Sequence, residues 1–344
     1  NIYDIERLSS KVSNGNCNGR DLISLKKSIS LLPKLKSLLI LTEESGLVSI
    51  GDNIDSLTDI HQLLEDSIND NPPITVKEGG LIKFGYNKEL DNIRNSSIKG
   101  KEWLTDLELQ EREKTGIKNL RIGYNKVVGY YFEVTKSNIP MVPNYFIRKQ
   151  TLTNSERYFT QELKEMESKI IGAEEKSLEL EYKIFLSIRD KLKSNIKRLQ
   201  SASKLISKID VIVSFAKVAY DKNFVRPTLN NEGYIMIKEG RHPVVEDVIE
   251  SNLFVPNDTY IDTSENMIQI ITGPNMSGKS TYMRQVAIMV LLSQLGSFVP
   301  ADEANIGIVD RIFTRIGAAD NLSQGESTFM VEMNEVSNII REAS

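Results

Sequence analysis

The sequence predicts a multidomain protein of α and α/β class. It reads as a helical core with long helices, a small antiparallel β insertion between them, and an α/β segment built on a glycine-rich loop. Three observations carry this. Leu22, Leu25, Ile29, Leu32, Leu35 and Leu39 recur at spacings of three and four, one face of an amphipathic helix. Apolar and polar residues alternate on both sides of Asn125 and Lys126, the period of paired strands. Residues 273–280 read Gly273, Pro274, Asn275, Met276, Ser277, Gly278, Lys279 and Ser280, between a β-like run and a helix-like one.

Length and composition bound the rest. A chain of 344 residues is long enough for two or three domains. With 40% hydrophobic and 26% charged residues, it has the balance of a soluble globular protein. The net charge of -4 leaves no global attraction to polyanions, so nucleic-acid contact needs a local basic patch. The single cysteine, Cys17, forbids an intrachain disulfide and fits a reducing, cytoplasmic setting. His61, His242 and Cys17 are too few for a zinc site. No apolar run approaches the roughly 20 residues that span a bilayer; the nearest lies at 286–292. A start at Asn1 and an end in mid-pattern at Ser344 are expected of a fragment of a longer protein.

Taken in order, residues 1–85 are expected to be helical, with Pro33 kinking or dividing the leucine-rich stretch. Asn71, Pro72 and Pro73 end this segment, and Gly79 and Gly80 mark a turn. A charged, largely solvent-facing helix is predicted from about Asn87 to Lys114, within a segment 86–115. A β insertion over 116–153 follows. Leu120, Ile122 and Tyr124 form one strand, and Val128, Tyr130, Phe132 and Val134 a second across a two-residue turn. Residues 145–152 form a third. Thr153 and Glu156 fit a capping box that opens a helix running to about 199, with Leu163, Ile170, Leu180, Ile188 and Leu199 on its apolar face. About 44 residues would span about 65 Å, an arm rather than a core element; a coiled-coil spacer is the plainer alternative. Residues 199–226 return to apolar helix, and from 227 strand and turn signals dominate. A short β run at 268–272 leads into the loop. The helix after it buries Met283, Val286, Ala287, Val290, Leu291 and Leu295.

The loop motif explains itself chemically. Gly273 and Gly278 permit backbone angles that turn amide N–H groups toward an anion, and the helix that follows aims its positive end at the same point. Lys279 reaches the terminal phosphates, and the Ser280 hydroxyl suits Mg²⁺. The alternative, a glycine turn with an exposed lysine, leaves the flanking strand and helix patterns unexplained. Hydrolysis also needs an acid at the end of a second apolar strand. Val309 and Asp310 come closest, behind only Ile306 and Ile308, while Glu332 and Glu335 fall in a helical pattern. The catalytic acid is expected beyond Ser344.

Lys118, Arg121, Lys126, Lys136, Arg148, Lys149 and Arg157 stand against only Glu133 and Glu156, a local charge of +5. Tyr124, Tyr130, Tyr131, Tyr145 and Tyr158 are interleaved. Such a set suits phosphate contact without sequence reading; a solvated β surface packed by tyrosines is the alternative.

The chain resembles the MutS family of DNA mismatch-repair ATPases. The resemblance rests on Arg241, His242, Pro243, Val244, Val245 and Glu246, on the loop through Arg284, on the string from Asp310 to Gly317, and on Ser327, Thr328, Phe329, Met330, Val331, Glu332 and Met333. Gly129, Tyr130 and Tyr131 add to it, as do Arg148, Lys149, Gln150, Thr151 and Leu152 with Glu156, Arg157 and Tyr158. It implies a partial helical core (1–85 and 199–226), two lever helices (86–115 and 154–198), a β clamp (116–153), and an ABC-type ATPase domain from 227 truncated before its Walker B acid. By the same resemblance, Asn275, Lys279, Ser280 and Thr281 hold phosphates and Mg²⁺. Phe254 and Val255 border the base, and Ser327 reaches the γ-phosphate of a partner subunit in trans. Ser327 also reads as a helix N-cap. From the basic insertion, Lys126, Lys136, Arg148, Lys149 and Arg157 are the expected DNA contacts. Ser277 departs from the pattern, standing where many members carry glycine. The resemblance covers no mismatch-reading domain or connector within the given residues, so mismatch binding by these residues alone is expected to be poor. The implied whole is an ATP-dependent sliding clamp on mismatched double-stranded DNA. It would be homodimeric, cytoplasmic and nucleoid-associated, with a MutL-type partner and no membrane contact. This fragment is expected to be inactive in hydrolysis. A structural chromosome-maintenance ATPase with a coiled-coil arm, and a nucleotide kinase, are the competing readings.

Overall fold

The computed structural model describes residues 2–249, 254–315 and 328–343. They divide into two compact units, spanning residues 1–206 and 207–344.

The first unit opens with five short helices: α1 (Ile5–Ser13), α2 (Gly19–Ile29), α3 (Leu32–Ile40), α4 (Ser45–Asn53) and α5 (Thr58–Ser67). Local chemistry sets their ends. The Asp4 side chain accepts from the Arg7 N–H, and Asn18 and Asp21 close a reciprocal capping box on α2. Pro33 sits in the first turn of α3, so the leucine-rich stretch is divided there, as its fixed φ and missing donor require. Leu22, Leu25, Ile29 and Leu32 are fully buried, Leu39 is buried and Leu35 half-buried.

Two long helices follow. In α6 (Lys88–Thr115) the Asn87 side chain caps the start and Gly116, at φ +71°, ends it. In α7 (Gln161–Ser194) the Thr160 side chain accepts from the Leu163 N–H. The capping box expected at Thr153 and Glu156 is therefore not the start of this helix. Ser155–Phe159 is a strand, paired on both sides, and Glu156 and Tyr158 are buried. Nor does one helix run to 199. It ends at the Asn195 cap, and α8 (Ile196–Asp221) starts at the next residue. A helix of 34 residues is about 51 Å long rather than 65 Å.

Between α6 and α7 lies a four-stranded antiparallel sheet: β1 (Arg121–Asn125), β2 (Gly129–Thr135), β3 (Ile147–Thr151) and β4 (Ser155–Phe159), in the order β1-β2-β4-β3. Asn125 pairs with Gly129, so the hairpin loop has three residues, not two. Gly129 adopts φ +77°, a conformation that closes three-residue hairpins and favours glycine. Phe132, Val134, Phe146 and Tyr158 pack on Leu104, Leu107, Leu163 and Ile170, so one face of the sheet shares a core with both long helices.

The second unit holds β5 (Thr228–Asn230), β6 (Ile235–Gly240), α9 (Pro243–Val248), β7 (Asn257–Ile261), α10 (Lys279–Gln294), β8 (Glu303–Gly307) and α11 (Thr328–Glu342). Its sheet has the order β5-β8-β6-β7, with β5 and β8 parallel and the other pairs antiparallel. Ile237, Met289, Val290, Val299, Ala304 and Ile306 form the core between the sheet and α10.

Two expectations differ here. Residues 268–272 form no ladder among the described residues, and Ile268 and Ile270 are 84% and 87% exposed. A β-run becomes a strand only when neighbours take its N–H and C=O groups. The buried face of α10 is also rotated from the predicted one. Gln285, Met289, Val290 and Ser293 are buried, whereas Met283, Leu291 and Leu295 are exposed. On a helix apolar nearly all round, periodicity does not choose the face.

Candidate nucleotide and nucleic-acid sites

The glycine-rich loop is shaped by three residues in the left-handed half of backbone space: Gly273 (φ +154°), Met276 (φ +65°) and Gly278 (φ +88°). Gly278 is the N-cap of α10, which begins at Lys279, as its sequence predicts. The Lys279 ammonium folds back into the loop and donates to the carbonyls of Gly273 (2.8 Å) and Pro274 (2.6 Å). A cation is thus fixed inside a loop at a helix N-terminus, where amide donors and the helix dipole add to its field.

Beside the loop lies a cleft of about 1060 Å³. Met276, Ser277, Gly278, Lys279 and Thr281 line one part of it, and Phe254 and Val255 another. Residues about 20 positions apart in sequence, one set chosen for phosphate and one for a base, therefore share a single cavity. Gly273, Pro274 and Asn275 belong to the loop outside this lining, and Ser280 is exposed on the first turn of α10. Ser327 lies outside the described residues.

Several cleft residues carried no sequence signal of their own. Asp258, Tyr282 and Gln285 also line it. The Tyr282 hydroxyl lies 2.9 Å from that of Thr259 and donates to the Asp258 carbonyl at 3.3 Å, tying α10 to β7. The helical spacing of Thr281, Tyr282 and Gln285 could have placed them on one face. His242, buried, is the N-cap of α9, its Nδ1 accepting from the Val245 N–H at 3.3 Å. Burial holds its pKa below the ordinary value, and the nearby Arg284 adds to this. Arg241 pairs with Glu246 at 3.0 Å.

The fit to ATP and Mg²⁺ is favourable on the phosphate side: a captive ammonium, two loop glycines at positive φ and a helix start converge there. On the metal side the loop offers one expected ligand only, the exposed Ser280 hydroxyl at the start of α10. Among the described residues no group of three or more His, Cys, Asp or Glu could hold an ion.

In the first unit, the sheet face turned away from the helices carries charge. Cross-strand pairing sets Arg121, Glu133 and Arg157 in one row over β1, β2 and β4. The Arg157 guanidinium lies 4.2 Å from the Tyr131 ring centre and donates to Gln150 at 2.9 Å. Lys149 stands 5.4 Å from the Phe159 ring centre and donates to the Val128 carbonyl. Arg148 pairs with Tyr158 on the other, helix-facing side, where it lies 3.7 Å from Glu156. Lys126 and Lys136 are exposed, in the hairpin loop and just after β2. Tyr131, one of the interleaved tyrosines, is buried beneath Arg157.

A family model described as MutS family domain IV matches residues 85–176, and one described as MutS domain V matches residues 269–344. The DNA mismatch repair protein MutS of Caldicellulosiruptor bescii is 55% identical over 343 residues, covering 100% of this chain and 40% of its own length. The protein of the same name from Alkaliphilus oremlandii is 55% identical over 344 residues, covering 39% of its length. That from Clostridium kluyveri is 53% identical over 345 residues, covering 40%. The chain belongs to the MutS family.

This MutS-family chain spans about two fifths of the length of the curated relatives it matches. Membership disfavours the chromosome-structural ATPase and the nucleotide kinase. Among the described residues no helix is long and apolar enough to cross a membrane.

Proposed function

We propose that this chain is the part of a DNA mismatch-repair protein that binds ATP with Mg²⁺ at residues 273–281 and touches double-stranded DNA through its basic sheet. The carrying observation is the shared cleft: the loop that holds Lys279 and the pair Phe254 and Val255 line one cavity of about 1060 Å³. Phosphates lie against Lys279, Ser280 and the loop amides, Mg²⁺ against Ser280, and the base against Phe254 and Val255. Ser327 serves a partner subunit's nucleotide in a homodimer.

In this reading α6 and α7 are levers and the four-stranded sheet is the clamp, with Lys126, Lys136, Arg148, Lys149 and Arg157 on the phosphate backbone. Residues 1–85 with 199–226 are the core, and 227 onward an ABC-type ATPase. The complete protein is an ATP-switched clamp on mismatched DNA that hydrolyses ATP and engages a MutL-type factor. ATP acts as a switch only through better binding to one conformation. The test is titration of ATPγS and Mg²⁺ into the 344-residue chain and its Lys279→Ala variant by calorimetry. Binding by the wild type and loss in the variant are expected; equal binding by both would overturn the assignment.

A further inference from the structure

Gln285 lies six residues beyond Lys279 on α10, on the face that carries Thr281 and Tyr282, and all three line the cleft. Its side chain is 0% exposed, and among the described residues neither Nε2 nor Oε1 has a hydrogen-bond partner. A buried amide with no partner destabilises the state that holds it, whereas an apolar side chain of similar shape would not. Part of its surroundings is apolar: Ile237 Cγ2 crowds the same point beside Gly240 as the amide, and Met289 follows one turn later on the same face, packed with Ile237 in the core. A methionine or leucine would suit such a place, so the polar group calls for a second state in which it is satisfied.

The neighbouring strands supply that state. Nε2 stands 2.7 Å from the point a Cβ on Gly240 would occupy, and the Asn257 carbonyl is 3.1 Å from the same point. Gly240 pairs with Asn257 at the register shift between β6 and β7. The amide thus faces the irregular end of the wall whose continuation carries Val255, and Asn257 itself lines the cleft. One turn earlier, Tyr282 already bonds the same strand. Because α10 starts at the loop and Tyr282 ties it to β7, a displacement of the loop would be carried to this contact.

We propose that Gln285 is a positioning residue for the nucleotide, its amide bonding the Gly240 and Asn257 wall only when the loop has closed on phosphate. The amide then couples the phosphate end of the cleft to its base end, and its unmet bonds in the open state are recovered on binding. The inference rests on the nucleotide reading of the cleft.

The test replaces the amide with apolar groups of similar length, Gln285→Met and Gln285→Leu, in the 344-residue chain. Two quantities are measured: thermal unfolding without nucleotide, and the Kd for ATPγS with Mg²⁺. The variants are expected to melt higher than wild type yet bind on the order of tenfold more weakly. A merely structural glutamine gives the opposite sign on melting. A lower melting temperature, loss of folding in both variants, or an unchanged Kd would each overturn the proposal. A wild-type chain that binds no ATPγS is a different result: it overturns the nucleotide reading and this inference together.

Discussion

The carboxylate of Glu181, on α7, accepts from the guanidinium of Arg94, on α6, at 2.8 Å, and is 3% exposed. The same carboxylate accepts from the N–H groups of Gly80 (3.0 Å) and Ile82 (2.7 Å). One buried charge therefore fastens both long helices and the segment that joins α6 to the preceding helices. Glu181→Ala leaves a guanidinium and two amides without their acceptor. The first unit is expected to lose roughly 3–5 kcal/mol, measured as a lower urea midpoint by circular dichroism. A midpoint within error of wild type would refute this role.

Gly129 is expected to resist substitution for two reasons. Its φ of +77° costs an L-residue about 1–2 kcal/mol. A Cβ there would also stand 1.8 Å from Glu167 Oε1, which must swing away. Gly129→Ala should lower stability by at least the backbone share, and pairing with Glu167→Ala should recover only the steric share. Urea melts of the single and double variants separate the two.

The pKa of His242 is held down, first by burial and then by Arg284. The unfolded chain takes up the proton near the ordinary 6.5 and the folded one only at lower pH. Stability from the neutral ring is thus fully present above about 6.5 and is lost as pH falls from there toward the depressed folded value. Protonation also ends the acceptor role of Nδ1 at Val245. Melting of the chain between pH 7.5 and 5 should show this decline. His242→Asn, which keeps a capping acceptor without a titrating ring, should flatten it.

On DNA, Lys149→Gln and Arg148→Gln are each expected to weaken binding about equally for matched and mismatched duplexes. Each should reduce the slope of log K against log salt by about 1. Fluorescence anisotropy across a salt series reads both. A change confined to one sequence would point instead to base readout.

Much of this architecture was legible because it is locally coded. Pro33, Asn87 and Lys279 each mark a helix boundary by their own chemistry, and the alternation around Asn125 is a strand signal wherever it occurs. What was misread depends on distant partners. Thr153 and Glu156 have capping-box spacing, but pairing with β2 and β3 and burial of Tyr158 draw that segment into the sheet. The face of α10 is chosen by the sheet beneath it, and that choice brings Gln285 inside. The candidate loop was readable as a string of eight residues. The cleft it shares with Phe254 and Val255 was not readable from spacing, because a fold closes that gap and a motif does not.

Met276 and Met289 stand at opposite extremes of one loop-and-helix unit: the first is 104% exposed and the second 0%. Thioethers oxidise according to access, so peroxide reaches Met276 first. The sulfoxide formed there removes no core contact, since the side chain makes none, yet it sets a strong dipole at the lip of the cleft. The same chemistry at Met289 would require the second unit to open. The extent of oxidation at each sulfur, read by mass spectrometry, is therefore a built-in gauge of whether the fold around α10 is intact.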